Sequence, residues 1–208
     1  MQLVAENLIL ERDGRTVVDG LSFRLSSGEA LLLTGPNGSG KTTLLRALAG
    51  FLAPASGKIL VADAPPERER AELCHFVGHL DGLKNHLTVA ENLSFWREYL
   101  GEEREGQSLD APLERFDLAP LADIPAGYLS AGQRRRLALA RLGVAARPVW
   151  LLDEPTVSLD AASVGLLLKA IAEHVASGGL AAIATHVPMA LERACEVRLG
   201  GTPPEARP

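Results

Sequence analysis

With 208 residues, 47% of them hydrophobic, and a formal net charge of −5, the chain can fold as one sizeable globular domain, or as a core carrying an inserted subdomain. The acidic balance speaks against a general nucleic-acid binder, which presents a basic surface to phosphates, and Arg134 to Arg136 is the only basic cluster. No apolar stretch approaches the roughly 20 residues that span a bilayer, and the N-terminus MQLVAENLILERDG lacks the basic-then-apolar order of a leader. A soluble cytoplasmic chain is expected, any membrane role coming through a partner.

In chain order, Leu3 to Leu10 and Thr16 to Leu25 alternate apolar and polar residues around Asp13-Gly14, which predicts an antiparallel hairpin ended by Ser26-Ser27-Gly28. The apolar run Ala30 to Leu33 reads as a buried strand and leads into GPNGSGKTT, Gly35 to Thr43. A helical pattern follows from Lys41, with Leu44, Leu45 and Leu48 on one side and Gly50 as its stop. Pro54 to Gly57 reads as a turn, Lys58 to Val61 as a short strand, and 64–72 as a solvated connector. From about Leu87 to Arg147 the spacing is helical, with Thr88 and Glu91 as a capping box, and 101–107 reads as a mobile loop. Strands are expected again at Val149 to Leu152 and Leu180 to Thr185, separated by a helix from Ala162 to Ala176 that Gly178-Gly179 stops; 200–208 reads as a disordered tail. Cys74 and Cys195 match no metal or redox spacing and are read as reduced thiols, and the five histidines show no metal-ligand pattern.

Strand, glycine-rich loop and helix form the setting that G-x-x-x-x-G-K-[ST] requires. A di- or triphosphate is densely negative; small residues let backbone N–H groups turn toward it while the helix presents its positive end. Side chains at Gly35, Gly38 and Gly40 would block that approach, whereas Lys41 places a charge on the β/γ-phosphates, Thr42 offers a hydroxyl to Mg²⁺, and Thr43 is available to an adjacent phosphate. The second motif is VWLLDE, Val149 to Glu154. In a parallel sheet ligands sit at the carboxyl ends of strands, so Asp153 would emerge beside the phosphate loop to hold Mg²⁺ through its water shell and Glu154 to orient or deprotonate a water. The third is LSAGQ, Leu129 to Gln133, where Ser130 reads as an N-cap and Ala131 and Gly132 leave backbone N–H groups open at a helix N-terminus. One loop already supplies a full phosphate cradle, so this second anion site points to a contribution from another protomer.

These motifs, with Ser158-Leu159-Asp160 and with His186 after LAAIAT, make the chain resemble the ATP-binding subunits of ABC transporters over nearly its whole length. The resemblance implies an α/β fold, a P-loop NTPase domain of ABC type with an N-terminal antiparallel β-subdomain and an inserted α-helical subdomain. It implies a single domain over 1–208: a RecA-like core with the β-subdomain at about 1–80 and 148–200, a helical subdomain at about 81–147, and a tail at 201–208. It further implies a head-to-tail homodimer, each ATP held between Gly35, Pro36, Asn37, Gly38, Ser39, Gly40, Lys41, Thr42 and Thr43 of one copy and Ser130, Ala131, Gly132 and Gln133 of the other. Glu154 and His186 would be catalytic, Thr42 and Asp153 would hold Mg²⁺, and Asp160 would communicate across the dimer. Two positions depart from the family pattern: Arg12 falls where an aromatic residue stacks on adenine, a place where its guanidinium plane can also stack and bind the nucleotide, and Leu80 falls where a glutamine approaches Mg²⁺ and the water, so that either His79 or Asp81 substitutes or the coupling between ATP and the partner is altered.

Within that family, ERDGR at 11–15, GLSF at 20–23, VGHLDGLKNHLTVAENLSFW at 77–96 and DIPAGYLSAGQRRRLALARL at 123–142 are similar to the ATP-binding subunits of the bacterial cytochrome c maturation system. This implies an ATPase on the cytoplasmic face of the inner membrane, bound to an integral-membrane permease and haem-handling proteins, with residues 79–96 toward the permease. ATP would drive haem export or release of a haem-loaded periplasmic chaperone. No C-x-x-C-H haem motif is present. The competing readings are the ATPase of an ABC transporter with another substrate, a non-transport ABC ATPase, and a small-molecule kinase sharing only the phosphate loop.

Overall fold

The computed structural model describes residues 1–65, 67–101 and 108–200. The predicted hairpin is present: β1 (Gln2–Arg12) and β2 (Arg15–Ser26) pair antiparallel. Asp13 and Gly14 both take positive φ, 51° and 72°, the backbone a two-residue hairpin turn needs to follow the strands' twist. β4 (Ser56–Ala62) joins the other side of β1, giving a three-stranded sheet in the order β2-β1-β4. A second sheet is wholly parallel, in the order β5-β6-β7-β3-β8, from β3 (Ala30–Thr34), β5 (Cys74–Val77), β6 (Val149–Asp153), β7 (Leu180–Ala184) and β8 (Ala194–Arg198).

The apolar runs at β3, β6 and β7 follow from burial on both faces. Leu31, Leu33, Val149, Leu151, Leu180 and Ala182 face a core shared with the three-stranded sheet and α1 (Lys41–Leu48). Their neighbours Trp150, Leu152, Ala181 and Ile183 face a second core with α6 (Ala161–Ala176) and the helices between β5 and β6. Each leucine so enclosed contributes about 1.5–3 kcal/mol relative to exposure. The intervening helices are α3 (Val89–Tyr99), α4 (Asp110–Arg115) and α5 (Ala131–Ala140), with short 3-10 turns at Ala119–Leu121, Ala126–Tyr128 and Arg141–Gly143. The Thr88–Glu91 capping box at the start of α3 is formed in both directions, at 2.8 and 3.1 Å.

One expectation is corrected, two strands go beyond the sequence reading, and two expected segments are not described. The stretch 64–72 is not only a connector, because α2 (Arg70–Leu73) begins inside it, anchored by Arg70 donating to the Ile59 carbonyl. The strands β5 and β8 carry no sequence expectation: β5 is a four-residue run behind a charged segment, and β8 is an edge strand whose side chains are mostly exposed, so its pairing to β3 rests on backbone groups. The expected loop at 101–107, beyond Gly101, and the expected tail at 200–208, beyond Gly200, lie outside the described residues. Both cysteines are free, and burial pushes the Cys74 thiol up to about 12.

His75 on β5 is 3% exposed and neither ring nitrogen has a hydrogen-bond partner among the described residues. Desolvation, then the nearby Arg141, Arg147 and His174, holds the folded imidazole down at about 3. An unfolded histidine titrates near 6.5, so between about 6.5 and about 3 the unfolded chain binds the extra proton and stability falls on acidification, by about 1.4 kcal/mol per pH unit. A His75→Leu variant is expected to lie within about 1 kcal/mol of the parent at neutral pH, since the ring makes no hydrogen bond to lose. Urea unfolding at about pH 7 and about pH 5 should show a shallower acid loss in the variant. Equal slopes would mean that other groups carry the acid sensitivity.

Candidate nucleotide site

The phosphate loop runs from the end of β3 to the first turn of α1. Gly35 adopts φ 132°, and a Cβ there would collide with the Leu199 carbonyl. Gly40 caps α1 in the left-handed region, at φ 95°, with Val17 O 2.9 Å from where its Cβ would stand. Only glycine meets both demands, the positive φ and the close backbone approach. Lys41 is 7% exposed and its ammonium is drawn across the loop, donating to the carbonyls of Gly35 at 2.8 Å and Pro36 at 3.1 Å. Ser39 Oγ is buried without a hydrogen-bond partner among the described residues.

Beside the loop, β6 ends in Asp153, 3% exposed, whose two carboxylate oxygens accept from Thr42 Oγ1 at 3.1 and 2.9 Å. The parallel register places Asp153 opposite Ala184, the last residue of β7. Glu154 then turns sharply: it takes φ 47°, and its N–H donates to Ala184 O at 2.9 Å. A non-glycine residue in that region costs of order 1 kcal/mol or more, a cost tolerated where function holds it. Its Oε2 lies 2.7 Å from Nδ1 of His186, just past β7. A carboxylate can only accept, so Nδ1 carries the proton of this pair. Asn37, Gly38, Gly40, Lys41, Thr42, Thr43, Asp153, Glu154 and Arg12 share one pocket of about 190 Å³. The site thus sits at the carboxyl ends of β3, β6 and β7, where an α/β sheet presents its ligands.

The family model described as ABC transporter matches residues 18–157. The cytochrome c biogenesis ATP-binding export protein CcmA of Chelativorans sp. (strain BNC1) is 50% identical over 203 residues, covering 96% of this chain and 98% of that protein. Its counterpart in Agrobacterium fabrum (strain C58 / ATCC 33970) is 45% identical over 205 residues, covering 97% and 96%. Among solved structures, a putative ABC transporter ATP-binding protein from Pyrococcus furiosus shares the fold at a TM-score of 0.83 and 24% identity, covering 96% of this chain and 98% of that one. A protein of Clostridium perfringens described as part of an ABC transporter complex gives a TM-score of 0.74 at 30% identity, covering 89% and 78%.

The chain belongs to the ABC transporter family. It is a nucleotide-binding, ATP-hydrolysing unit of that family, with its ABC-type α/β fold.

Other residues named from the sequence are placed less centrally. Ser130, Ala131, Gly132 and Gln133 open α5 but do not line the phosphate-loop pocket. Ser130 and Gln133 instead cap one another, Ser130 N donating to Gln133 Oε1 at 2.8 Å and Gln133 N to Ser130 Oγ at 3.2 Å. Asp160 caps α6 through Ser163 N at 2.8 Å, and that N–H holds its carboxyl below the usual range. Arg12 stands at the rim of the pocket, exposed and 3.5 Å from Asp13. Leu80 is 83% exposed, and Asp81 is engaged by Arg135 at 3.3 Å. The three arginines read as a basic cluster are consumed internally: Arg134 by Asn85 and the Ala126 carbonyl, Arg136 by Phe116 and Asp117, Arg135 by the Asp153–Pro155 turn. Arg135 was missed as a site residue. Its spacing to Leu139 and Leu142 puts a cation on the buried stripe of a helix, which is the signal that could have found it.

Proposed function

We propose that the chain is the ATPase subunit of a cytochrome c biogenesis ABC transporter, working as a homodimer on the cytoplasmic face of the inner membrane. ATP hydrolysis would be coupled there to haem export or to release of a haem-loaded periplasmic chaperone. The observation that carries the hydrolytic reading is the convergence of Lys41, Thr42–Asp153 and Glu154–His186 at one end of the parallel sheet. Near-full-length similarity to proteins named for cytochrome c biogenesis carries the assignment to that process.

Thr42 Oγ1 and the Asp153 carboxylate would hold Mg²⁺. The Asp153 carboxylate accepts from the Thr42 hydroxyl at 3.1 and 2.9 Å, which puts the two groups side by side where Thr42 would bind the ion and Asp153 its water shell. Bound there, the ion would neutralise phosphate charge. The Lys41 ammonium has a third N–H beyond the two that donate to loop carbonyls, and this one would donate to a β/γ-phosphate. Glu154 would accept the proton of the attacking water. His186 can reach a phosphate oxygen as donor only as imidazolium, or after leaving Glu154, because its one neutral-form proton is committed to that carboxylate. In the homodimer, the N-terminus of α5 with Ser130 to Gln133 would close the partner's nucleotide, Asp160 would lie at the subunit contact, and Arg12 would flank the base.

None of the helices among the described residues is long and apolar enough to cross a membrane; attachment would be through an integral permease. Its docking place would be a cleft of about 690 Å³ beside the nucleotide site, lined by Phe51, Phe76, Leu80, Trp96 and Tyr99. Phe51, Leu80 and Tyr99 are 62%, 83% and 71% exposed, a concentration of apolar surface that marks contact sites. Affinity purification from membranes in mild detergent tests the assignment. Recovery of an integral permease with haem-handling proteins is expected, and recovery of an unrelated importer would reject it.

A further inference from the structure

Arg135 is 3% exposed, and its guanidinium is filled by two separate segments. Nη2 donates to the carbonyls of Asp153 at 3.0 Å and Glu154 at 2.8 Å, and Nε to that of Pro155 at 3.3 Å. Nη1 donates to Gly78 O at 2.9 Å and to the Asp81 carboxylate at 3.3 Å. Every N–H of the fork is therefore used, and a planar fork transmits displacement where a flexible ammonium would not. The two segments are the turn that carries Glu154 and the loop that carries Leu80 in the permease-facing cleft. Arg141, just past α5, holds the same loop through the carbonyls of Phe76 at 2.6 Å and Asp81 at 3.3 Å and stacks on Trp96.

The Glu154 peptide is gripped from both sides: its N–H by Ala184 O, and its C=O by Arg135. With φ at 47°, that backbone depends on its surroundings to stay where the carboxylate meets His186. Leu80 has no polar group with which to reach a water or an ion, so the loop has no side-chain route from this position to the reacting atoms.

We propose that Arg135 is a positioning residue for hydrolysis, and the joint through which movement of loop 78–81 reaches the Glu154 carboxylate. It lies within the first turns of α5, so the same guanidinium ties the helix that begins at Ser130 to both segments. This rests on the reading of Glu154 as the base.

The test is steady-state MgATP hydrolysis by the purified full chain, with affinity for a fluorescent ATP analogue measured in parallel, for Arg135→Gln, Arg135→Lys, Asp81→Asn and Glu154→Gln. Arg135→Gln should lower kcat by about 10- to 100-fold, as for a slightly misplaced catalytic group, with KM and analogue affinity changed by no more than about threefold. Arg135→Lys should recover part of that loss, because an ammonium can still donate to the Asp153 and Glu154 carbonyls. Asp81→Asn, which keeps the acceptor and loses only the charge, should cost about threefold or less. Undiminished kcat in Arg135→Gln overturns the proposal. So does a kcat loss matched by equal loss of nucleotide affinity that lysine fails to relieve. If the glutamine variant does not fold, parental kcat in Arg135→Lys overturns it. If Glu154→Gln keeps its turnover, the base assignment is what fails; if Glu154→Gln is inactive while Arg135→Gln is not, the positioning role alone fails.

Discussion

Glu154→Gln is expected to lower ATP turnover by about 10²- to 10⁴-fold, the range for removing a positioned general base, while ATP binding is retained. The substitution keeps the shape and the backbone that Ala184 and Arg135 hold, and leaves Lys41, Thr42 and Asp153 in place. What is lost is the ability to take a proton from water and the charge that faces His186 at 2.7 Å. Radiolabelled ATP trapped on the variant under conditions where the parent releases ADP would show the split between binding and chemistry. Turnover near the parental rate would remove Glu154 from the catalytic role.

The second large effect concerns whether a second copy completes the nucleotide site. Ala131 is exposed at the first position of α5, where an aspartate is favourable for the helix because it meets the positive end of the dipole. Ala131→Asp should therefore fold as well as the parent. If α5 closes the nucleotide of a second copy, the new carboxylate would stand against a triphosphate, and activity should fall by about 100-fold, since like charges at contact distance cost several kcal/mol when partly desolvated. Lys41→Ala should be as inactive for the opposite reason, loss of the cation that meets the phosphates. Mixed, the two dead variants should regain about a quarter of parental activity, because random pairing makes half the dimers mixed and each mixed C₂ dimer holds one intact site. Full activity of Ala131→Asp alone, or no recovery on mixing, would mean that each chain completes its own site.

The site was more legible than the fold around it. Gly35 to Thr43 and Asp153-Glu154 could be read because phosphate and Mg²⁺ chemistry tolerates few residue types at those spacings, and the buried strands β3, β6 and β7 announce themselves by being apolar on both faces. The Thr88 and Ser130 caps were equally legible, since a cap is a contact between residues three apart. β5 and β8 were not: a four-residue run and an exposed edge strand owe their conformation to neighbours more than 70 residues away in sequence, Val149–Leu152 for β5 and Ala30–Thr34 for β8. Arg134 to Arg136 were visible as a basic run, but their destinations were not, and of the three Arg135 reaches the Asp153–Pro155 turn.

By itself, then, the sequence determined the chemistry this chain can offer a nucleotide: a glycine-lined phosphate loop, a lysine, a hydroxyl and two acidic residues after a buried strand. Tertiary structure alone decided that Thr42 meets Asp153, that Glu154 is held in a left-handed turn against His186, and that Arg135 joins that turn to the Leu80 loop. The division has a physical cause. Helix caps, hairpin turns and the phosphate-loop motif depend on residues close in the chain, whereas hydrogen bonds between segments separated by 111, 32 or 19 positions exist only once the parallel sheet has set its register.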